Sequence, residues 1–344
     1  MPPGQIIDPR AIMAAILADL PAGTDPRAAR SIATRHPAEA KARANAVLEA
    51  GFANDPRHAR HLVTSQAHLT DGLVIAALAV SQHLHPLPAP TEAERIAVLA
   101  VGGYGRAEMA PQSDVDLLFL TPWKITPWAE SVIETMLYLL WDLKLKVGHA
   151  SRTVKDCIRL GREDITIRTA LLEHRFIAGH EPLATELADR LWGELFRNSG
   201  PEFIEAKLAE RAARHKRQGG QRYVLEPNVK EGKGGLRDLQ TLYWIGKYLH
   251  RVARASGLVD AGLFTRDEYE AFARAEDFLW AVRCHLHYAT RRATDQLTFD
   301  LQVEVAARMG YADQGGRRAV EVFMQDYFRH ATRVGELTRV FLTE

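Results

Sequence analysis

Hydrophobic residues are spaced differently in successive parts of the chain, and each spacing predicts a different kind of region. Before residue 85 they follow a helical period: Asp8 and Pro9 suit a helix start, and the Ala-rich stretch 37–50 is expected to end at Gly51. The segment 85–90 contains three prolines and cannot continue a helix. The pattern therefore predicts a helical N-terminal region followed by a linker.

Short apolar runs replace the helical spacing after this linker. Ile96–Val101 is short, apolar and followed by glycines, as in a buried strand, although a buried helix segment can have the same pattern. We interpret it as a strand. Leu117–Leu120 and Lys146–Arg152 are interpreted as further strands, and Pro127–Leu143 has the apolar spacing of a helix that packs on a sheet.

From residue 201 the helical spacing returns. Thr265–Glu268 fits a capping box at the start of one long helix, and an apolar stripe from Val320 to Phe341 marks another. Both helices are interpreted as core. The chain is thus predicted to contain a helical N-terminal region with its linker (residues 1–90), a central domain (91–200) and a helical C-terminal domain (201–344).

Composition and charge narrow the class of protein. A chain of 344 residues is long enough for two or three domains, and its 44 basic and 43 acidic side chains give a formal charge of only +1. No global charge therefore favours nucleic acid or a membrane surface. Cys157 and Cys284 form no disulfide framework and fit a reducing cytoplasm. With no basic leader and no stretch as long as a membrane span, the sequence predicts a cytosolic protein.

Candidate chemistry begins where the first predicted strand ends. Gly102, Gly103 and Gly105 permit backbone angles that other residues avoid. The segment 106–109 can then open a helical turn whose free N–H groups face an anion. A triphosphate would fit such a turn.

Two aspartates follow within a few residues. Asp114 and Asp116 stand at the start of the second predicted strand, so their side chains leave the same face, with Cα atoms about 6.6 Å apart. Carboxylate ligands favour Mg²⁺ or Mn²⁺. Two such ions about 4 Å apart can clamp a displacement at phosphorus.

Each feature alone has a plainer explanation. The glycines could be a tight strand-to-helix connection, and Asp-x-Asp is more often a solvated strand end. Here the strand, the glycine turn, Ser113–Asp116 and the strand Leu117–Leu120 come as one ordered unit. In this order they resemble the nucleotidyltransferases of the DNA polymerase beta superfamily, and more narrowly the uridylyltransferases that modify the PII nitrogen-signalling protein.

The resemblance implies an α+β fold: a polymerase beta-like nucleotidyltransferase domain with a small mixed sheet, flanked by helical N-terminal and C-terminal regions. It also implies roles for particular residues. Asp114 and Asp116 would be catalytic and hold the metal, and the nucleotide would be bound by Gly102, Gly103, Arg106 and Ser113.

One part of the superfamily pattern is missing. Its members commonly carry a third carboxylate on the strand that we predict at 146–152, where this sequence has none. Asp142, Asp164 and Glu173 are candidates only by their proximity in sequence, and each could simply be solvated.

A second signature lies in a basic segment. Between Lys207 and Arg237, nine lysines and arginines, Arg222 among them, stand against three glutamates. The helix up to Arg217 is interpreted as a solvated basic face. Residues 226–240 closely resemble a second signature of the PII uridylyltransferases and combine glycines with cations before a helix. We expect a flexible loop there to close over phosphates through Lys230, Lys233 and Arg237.

The resemblance covers the chain from about residue 90 onward. It implies a cytoplasmic enzyme that uses Mg²⁺, or Mn²⁺, to transfer UMP from UTP to a tyrosine of a PII-type protein, with neither nucleic acid nor membrane as partner. Adenylyl transfer to another protein and a catalytically silent nucleotide-binding scaffold stay open. Members of the family continue into an HD phosphohydrolase domain and ACT domains. No His here is followed by Asp, so we expect transferase machinery only, in a truncated form or a stand-alone relative.

Overall fold

A computed structural model describes residues 6–20, 26–219 and 224–342. The chain forms two compact units. The first consists of Met1–Ala50, Val63–Met109 and Ser113–Leu195, and the second of Gly51–Leu62, Ala110–Gln112 and Phe196–Glu344. Most of the N-terminal region, the Pro-rich linker and most of the predicted central domain therefore lie in the first unit. The division at residue 90 stays a prediction.

Three helices precede the sheet: α1 (Pro9–Asp19), α2 (Pro26–Asn54) and α3 (Arg60–Leu84). The predicted start of α1 is confirmed, because the Asp8 carboxylate accepts hydrogen bonds from the N–H groups of Arg10 and Ala11. The predicted end at Gly51 is wrong, since α2 contains Pro37 and continues through Gly51. One glycine costs a helix only about 1 kcal/mol.

Helix α3 corrects one expectation from the sequence. Its length and composition would allow it to cross a membrane, although no stretch was expected to be that long. However, 72% of its most apolar window is buried inside the structure. A core helix passes the same test, and we treat α3 as core.

Four strands form a mixed sheet in the order β3-β2-β1-β4. They are β1 (Ala97–Ala100), β2 (Val115–Thr121), β3 (Val147–Thr153) and β4 (Arg175–Gly179). β1 pairs antiparallel with β2 and β4, and β2 pairs parallel with β3. The three predicted strands are confirmed, and β4 adds a fourth. The α+β class with a small mixed sheet and flanking helices is confirmed as well.

Five further helices belong to the first unit: α4 (Gly102–Gly105), α5 (Pro127–Asp142), α6 (Val154–Glu163), α7 (Ile165–Leu172) and α8 (Glu181–Arg190). A 3₁₀ turn at Glu92–Glu94 and a π-helical turn at Leu191–Leu195 complete it. The predicted helix α5 is confirmed. It buries Val132, Met136 and Leu140, as its spacing indicates.

The second unit contains the helices α9 (Gly200–Arg217), α10 (Leu236–His250), α11 (Gly257–Asp260), α12 (Arg266–Thr290), α13 (Phe299–Arg308) and α14 (Ala319–Phe341). The predicted capping box of α12 is confirmed: the Glu268 N–H donates to Thr265 Oγ1, and the Thr265 N–H donates to Glu268 Oε2. The two apolar stripes are core, since Leu279, Leu286 and Phe323 are fully buried.

Both cysteines are free and buried, Cys157 in α6 and Cys284 in α12. Burial raises the pKa of each thiol to about 12. Neither thiol is ionised near neutral pH, so neither is a nucleophile in this structure.

Candidate active site

The glycine turn follows β1 directly. Its helical residues are Gly102–Gly105, whereas residues 106–109, where the sequence predicts a helical turn, lie outside it. The turn starts earlier because Gly102 adopts a left-handed φ of 60°, which reverses the chain immediately after the strand. The N–H groups of Gly105 and Arg106 bond back to the carbonyls of Val101 and Gly102. The first N–H groups of a helical turn have no such acceptor and can face an anion.

Asp116 lies beside this turn on β2. Its Cα is paired with that of Gly148 on β3, and its carbonyl accepts a hydrogen bond from the Val101 N–H. A Cβ on residue 148 would lie 2.6 Å from Asp116 Oδ1, and a Cβ on residue 102 would lie 3.3 Å from Oδ2. The carboxylate is therefore flanked by two glycines, one on each side.

Asp114 immediately precedes β2 and is exposed, whereas Ser113 and Asp116 are partly buried. The structure thus brings Gly102 and Asp116 together and keeps Ser113 and Asp114 on the segment that enters the same strand. Within the described ranges 6–20, 26–219 and 224–342, no group of three or more His, Cys, Asp or Glu residues has the arrangement of a metal site.

A cavity of about 260 Å³ opens at Asp116. It belongs entirely to the first unit and lies along β3 and α7. Its lining includes Val101, Gly102, Asp116, Gly148, His149, Arg152, Thr166 and Ile167. Of its polar lining residues, Asp116 lies on β2, His149 and Arg152 lie on β3, and Thr166 lies on α7.

Arg106, predicted to bind nucleotide, is held by two carboxylates. Its Nε donates to Glu108 at 3.0 Å, and its Nη1 donates to Glu173. The guanidinium is 8% exposed. Burial opposes its charge, but Glu173 and Glu108 outweigh burial and raise the pKa of Arg106 above its ordinary value. These contacts fix the end of the glycine turn; a contact of Arg106 with nucleotide stays a prediction.

Glu173 and the turn also meet through the backbone. A Cβ on Gly105 would lie 2.0 Å from the Glu173 carbonyl oxygen, so only glycine fits there. The buried Glu173 thus supports the turn with both its side chain and its backbone, a role that its place in an apolar run did not reveal.

The other two candidates for a third carboxylate have partners elsewhere. Asp142 accepts from Arg30, with Nη2 and Oδ1 2.7 Å apart. Asp164 caps helix α7 by accepting hydrogen bonds from the N–H groups of Thr166 and Ile167. Neither contact involves Asp116.

The glycine-rich loop 226–235 belongs to the second unit. Asn228 Oδ1 accepts from the N–H groups of Lys230 and Glu231. Added Cβ atoms would lie 2.5 Å from the Asn228 carbonyl oxygen at Gly232, 2.4 Å from that of Ala331 at Gly234, and 2.6 Å from that of Val229 at Gly235. The glycines allow close backbone packing, and the flexibility expected of this loop stays a prediction.

Asp238, just after this loop, is fully buried and accepts hydrogen bonds from the Gly234 N–H and from His215 Nε2, at 2.8 and 2.9 Å. Arg211 and Arg214 also bond to it. Burial raises the pKa of this carboxyl, but the His215 hydrogen bond and the charges of the two arginines lower it further, so the net pKa falls.

The interpretation of helix α9 as a solvated basic face is therefore wrong for several of its cations. Lys207 is buried and donates to Glu210, and Arg214 is buried against Asp238. The sequence did not reveal this cluster because Asp238 is separated from its cationic partners by more than 20 residues. Arg222, also counted in the basic segment, lies outside the described residues.

The three predicted nucleotide-binding cations, Lys230 and Lys233 of the loop and Arg237 at the start of α10, are all partly buried. Arg237 donates to Glu231 and to Gln240 Oε1. Lys230 is partly buried; burial, followed by the charges of Arg283 and Arg237, lowers its pKa. These residues and the aspartate pair belong to different units, and their part in nucleotide binding stays a prediction.

Comparison with known proteins is consistent with this arrangement. Residues 202–342 match the family model of the GlnD PII-uridylyltransferase. Three relatives are each named bifunctional uridylyltransferase/uridylyl-removing enzyme. The relative from Cereibacter sphaeroides is 75% identical, and the match covers 100% of this chain and 37% of the relative. For the relative from Ruegeria pomeroyi the identity is 69%, with 87% of this chain and 33% of the relative covered. For the relative from Erythrobacter litoralis it is 58%, with 84% of this chain and 32% of the relative covered.

The chain spans about a third of the length of these relatives. The similarity to the first of them extends over every part of the chain, including the glycine turn, the aspartate strand and the loop of the second unit. This chain belongs to the GlnD PII-uridylyltransferase family.

Proposed function

We propose that this chain transfers UMP from UTP to a tyrosine hydroxyl of a PII-type protein and releases pyrophosphate. One observation carries the proposal: the Asp116 carboxylate lies between Gly102 of the glycine turn and Gly148 of β3, at a cavity of about 260 Å³. Nucleotidyl transfer needs such an acidic group beside a site that holds phosphates in position. We infer the PII-type protein substrate from the family, and UTP from the resemblance of both signatures to the PII uridylyltransferases.

The acidic residues fit a divalent cation of the Mg²⁺ type. Asp114 is exposed, and Asp116, two residues further along, lines the cavity. Both can therefore offer carboxylate oxygens, the ligands that Mg²⁺ and Mn²⁺ prefer. The glycines at 102 and 148 leave space beside the Asp116 oxygens that any side chain would fill. We propose that Asp114 and Asp116 hold the ion, which neutralises charge on the phosphates when bound.

The chain's own residues bind and orient the nucleotide. The first amides of the turn at Gly102 and Gly103 donate to phosphate oxygens, and Ser113 adds a hydroxyl next to the aspartates. The ion pair between Arg106 and Glu173 stabilises the turn. The helical second unit binds the protein substrate, and the reaction takes place in the cytoplasm.

The experiment is intact-mass spectrometry of a PII protein after incubation with this chain, Mg²⁺ and either UTP or ATP. We expect a gain of one UMP with UTP only. Asp114→Asn should abolish it, because the substitution removes a carboxylate charge without disturbing a buried contact. Asp142→Asn is the matched control and should leave transfer unchanged, since Asp142 only pairs with Arg30 on the surface.

Two other results would reject the proposal. A gain of AMP would make the chain an adenylyltransferase. UTP binding without any product would make it a silent scaffold, the alternative that the missing third carboxylate favours.

A further inference from the structure

Arg152 lines the cavity at Asp116 and has no part in the proposed function. It lies on β3, four residues after Gly148, and strand alternation puts both positions on the sheet face of Asp116. The side chain is partly buried and lines the same cavity as Asp116 and Thr166.

This guanidinium differs from the other arginines around the sheet. Arg106 is bound by Glu108 and Glu173, Arg168 donates to the Gly161 carbonyl, and Arg175 is paired with Asp71. By contrast, no described residue accepts a hydrogen bond from the Arg152 side chain, and no carboxylate of the described ranges forms an ion pair with it.

Asp164, whose pKa is influenced by the charge of Arg152, already has a different role. Hydrogen bonds from the N–H groups of Ile167 and Thr166 lower the pKa of Asp164, and the Arg152 charge adds to this effect from a distance. Asp164 is thus held as the cap of α7 and does not neutralise Arg152 directly. A partly buried cation is left at the wall of a cavity that also contains the proposed metal-binding carboxylate.

We infer that Arg152 binds the two terminal phosphates of the nucleoside triphosphate, the part that leaves as pyrophosphate. The inference rests on the proposed function, because it assumes that a nucleotide occupies this cavity. A guanidinium is always charged and presents paired N–H donors that match two phosphate oxygens, whereas it offers no acceptor to a base or a hydroxyl. Its charge also counters the negative charge that collects on the leaving group.

Isothermal titration calorimetry of the whole 344-residue chain in Mg²⁺ tests this with UTP, pyrophosphate and UMP as ligands. For Arg152→Gln we expect the Kd of UTP and of pyrophosphate to rise at least tenfold, and the Kd of UMP to change less than twofold. Arg152→Lys, which keeps the charge but loses the paired donors, should give an intermediate rise. Arg159→Gln is the control, since Arg159 is exposed and paired with Asp156 and Glu163.

An equal loss for UMP and UTP would overturn the assignment, because Arg152 would then contact the nucleoside or the first phosphate. Unchanged UTP binding in both Arg152 variants would also overturn it while leaving the proposed function standing. If the unaltered chain bound no UTP, the proposed function would fail, and this inference with it.

Discussion

Asp116 and Gly148 face each other across the parallel pair β2 and β3 so closely that a single methyl group on residue 148 would lie 2.6 Å from Asp116 Oδ1. Carbon and oxygen do not approach to that distance without a bond. The orientation of the proposed catalytic carboxylate therefore depends on the absence of a side chain on the neighbouring strand.

Gly148→Ala should displace Asp116 and reduce uridylylation of a PII protein at least tenfold. The free energy of unfolding should fall by only about 1 kcal/mol, because Gly148 is exposed at the edge of the sheet. Initial rates from intact-mass spectrometry and urea unfolding measure the two effects.

Gly51→Ala is the control for this substitution. Nothing lies within 4 Å of a Cβ there, and the residue is helical, so activity should be unchanged and stability should rise by about 0.5–1 kcal/mol. Full activity of Gly148→Ala would show that Asp116 does not need its present orientation.

The pair Arg106–Glu173 should be far more important for stability than a surface ion pair. Glu173 is 2% exposed and Arg106 8% exposed. Glu173→Gln would leave the guanidinium with Glu108 as its remaining carboxylate, and breaking a buried pair costs about 3–5 kcal/mol. Urea unfolding of Glu173→Gln, Arg106→Met and the double variant gives the coupling energy.

We expect a coupling of at least 2 kcal/mol for this buried pair. The same cycle on Arg30 and Asp142, which are 43% and 35% exposed, should give less than about 1 kcal/mol. Equal coupling energies in the two cycles would mean that Arg106 and Glu173 do not support the glycine turn as a charged pair.

Acid should destabilise the second unit through His285. Its ring stacks on Phe52 with centroids 4.3 Å apart, and its Nε2 lies 2.7 Å from the Pro56 carbonyl oxygen. Burial lowers the pKa of His285 to about 4, against about 6.5 in an unfolded chain. Between these values the unfolded state binds the proton and the folded state does not, so stability falls as the pH decreases from 6.5 towards 4.

His285→Gln should flatten this part of the pH dependence, because a neutral amide can still donate to Pro56 but takes up no proton. One pKa unit corresponds to about 1.4 kcal/mol, so between pH 6.5 and 4 the free energy of unfolding of the unaltered chain should fall by about 3 kcal/mol more than that of the variant. Urea unfolding at pH 7, 6, 5 and 4 measures it, with the exposed His250→Gln as control. If both variants keep the slope of the unaltered chain, another group causes it.

Features that depend on local chemistry could be predicted from the sequence. Ile96–Val101 could be interpreted as a strand because it is short, apolar and closed by glycines, and the capping box at Thr265 could be recognised from four residues. The same holds for the pairing of the glycine turn with the aspartate strand, since both lie within 15 residues of each other.

Features that depend on distant contacts could not be predicted. The role of Gly148 follows from the register of two strands, and that of Glu173 from a bond to a residue 67 positions away. Gly51 has the local signature of a helix end, but the helix continues through it to Asn54. Sequence spacing carries no information about such tertiary partners.

The buried Asp238 has a consequence for how the loop before it can take part in any reaction. Lifting Gly234 away would remove one hydrogen bond from a carboxylate that has no access to water, and would pull the Ala331 backbone out of its close fit. Any closure of this loop over phosphates would therefore have to break the Gly234–Asp238 hydrogen bond and the close contact with Ala331, or leave both in place and move the side chains of Lys230 and Lys233 alone.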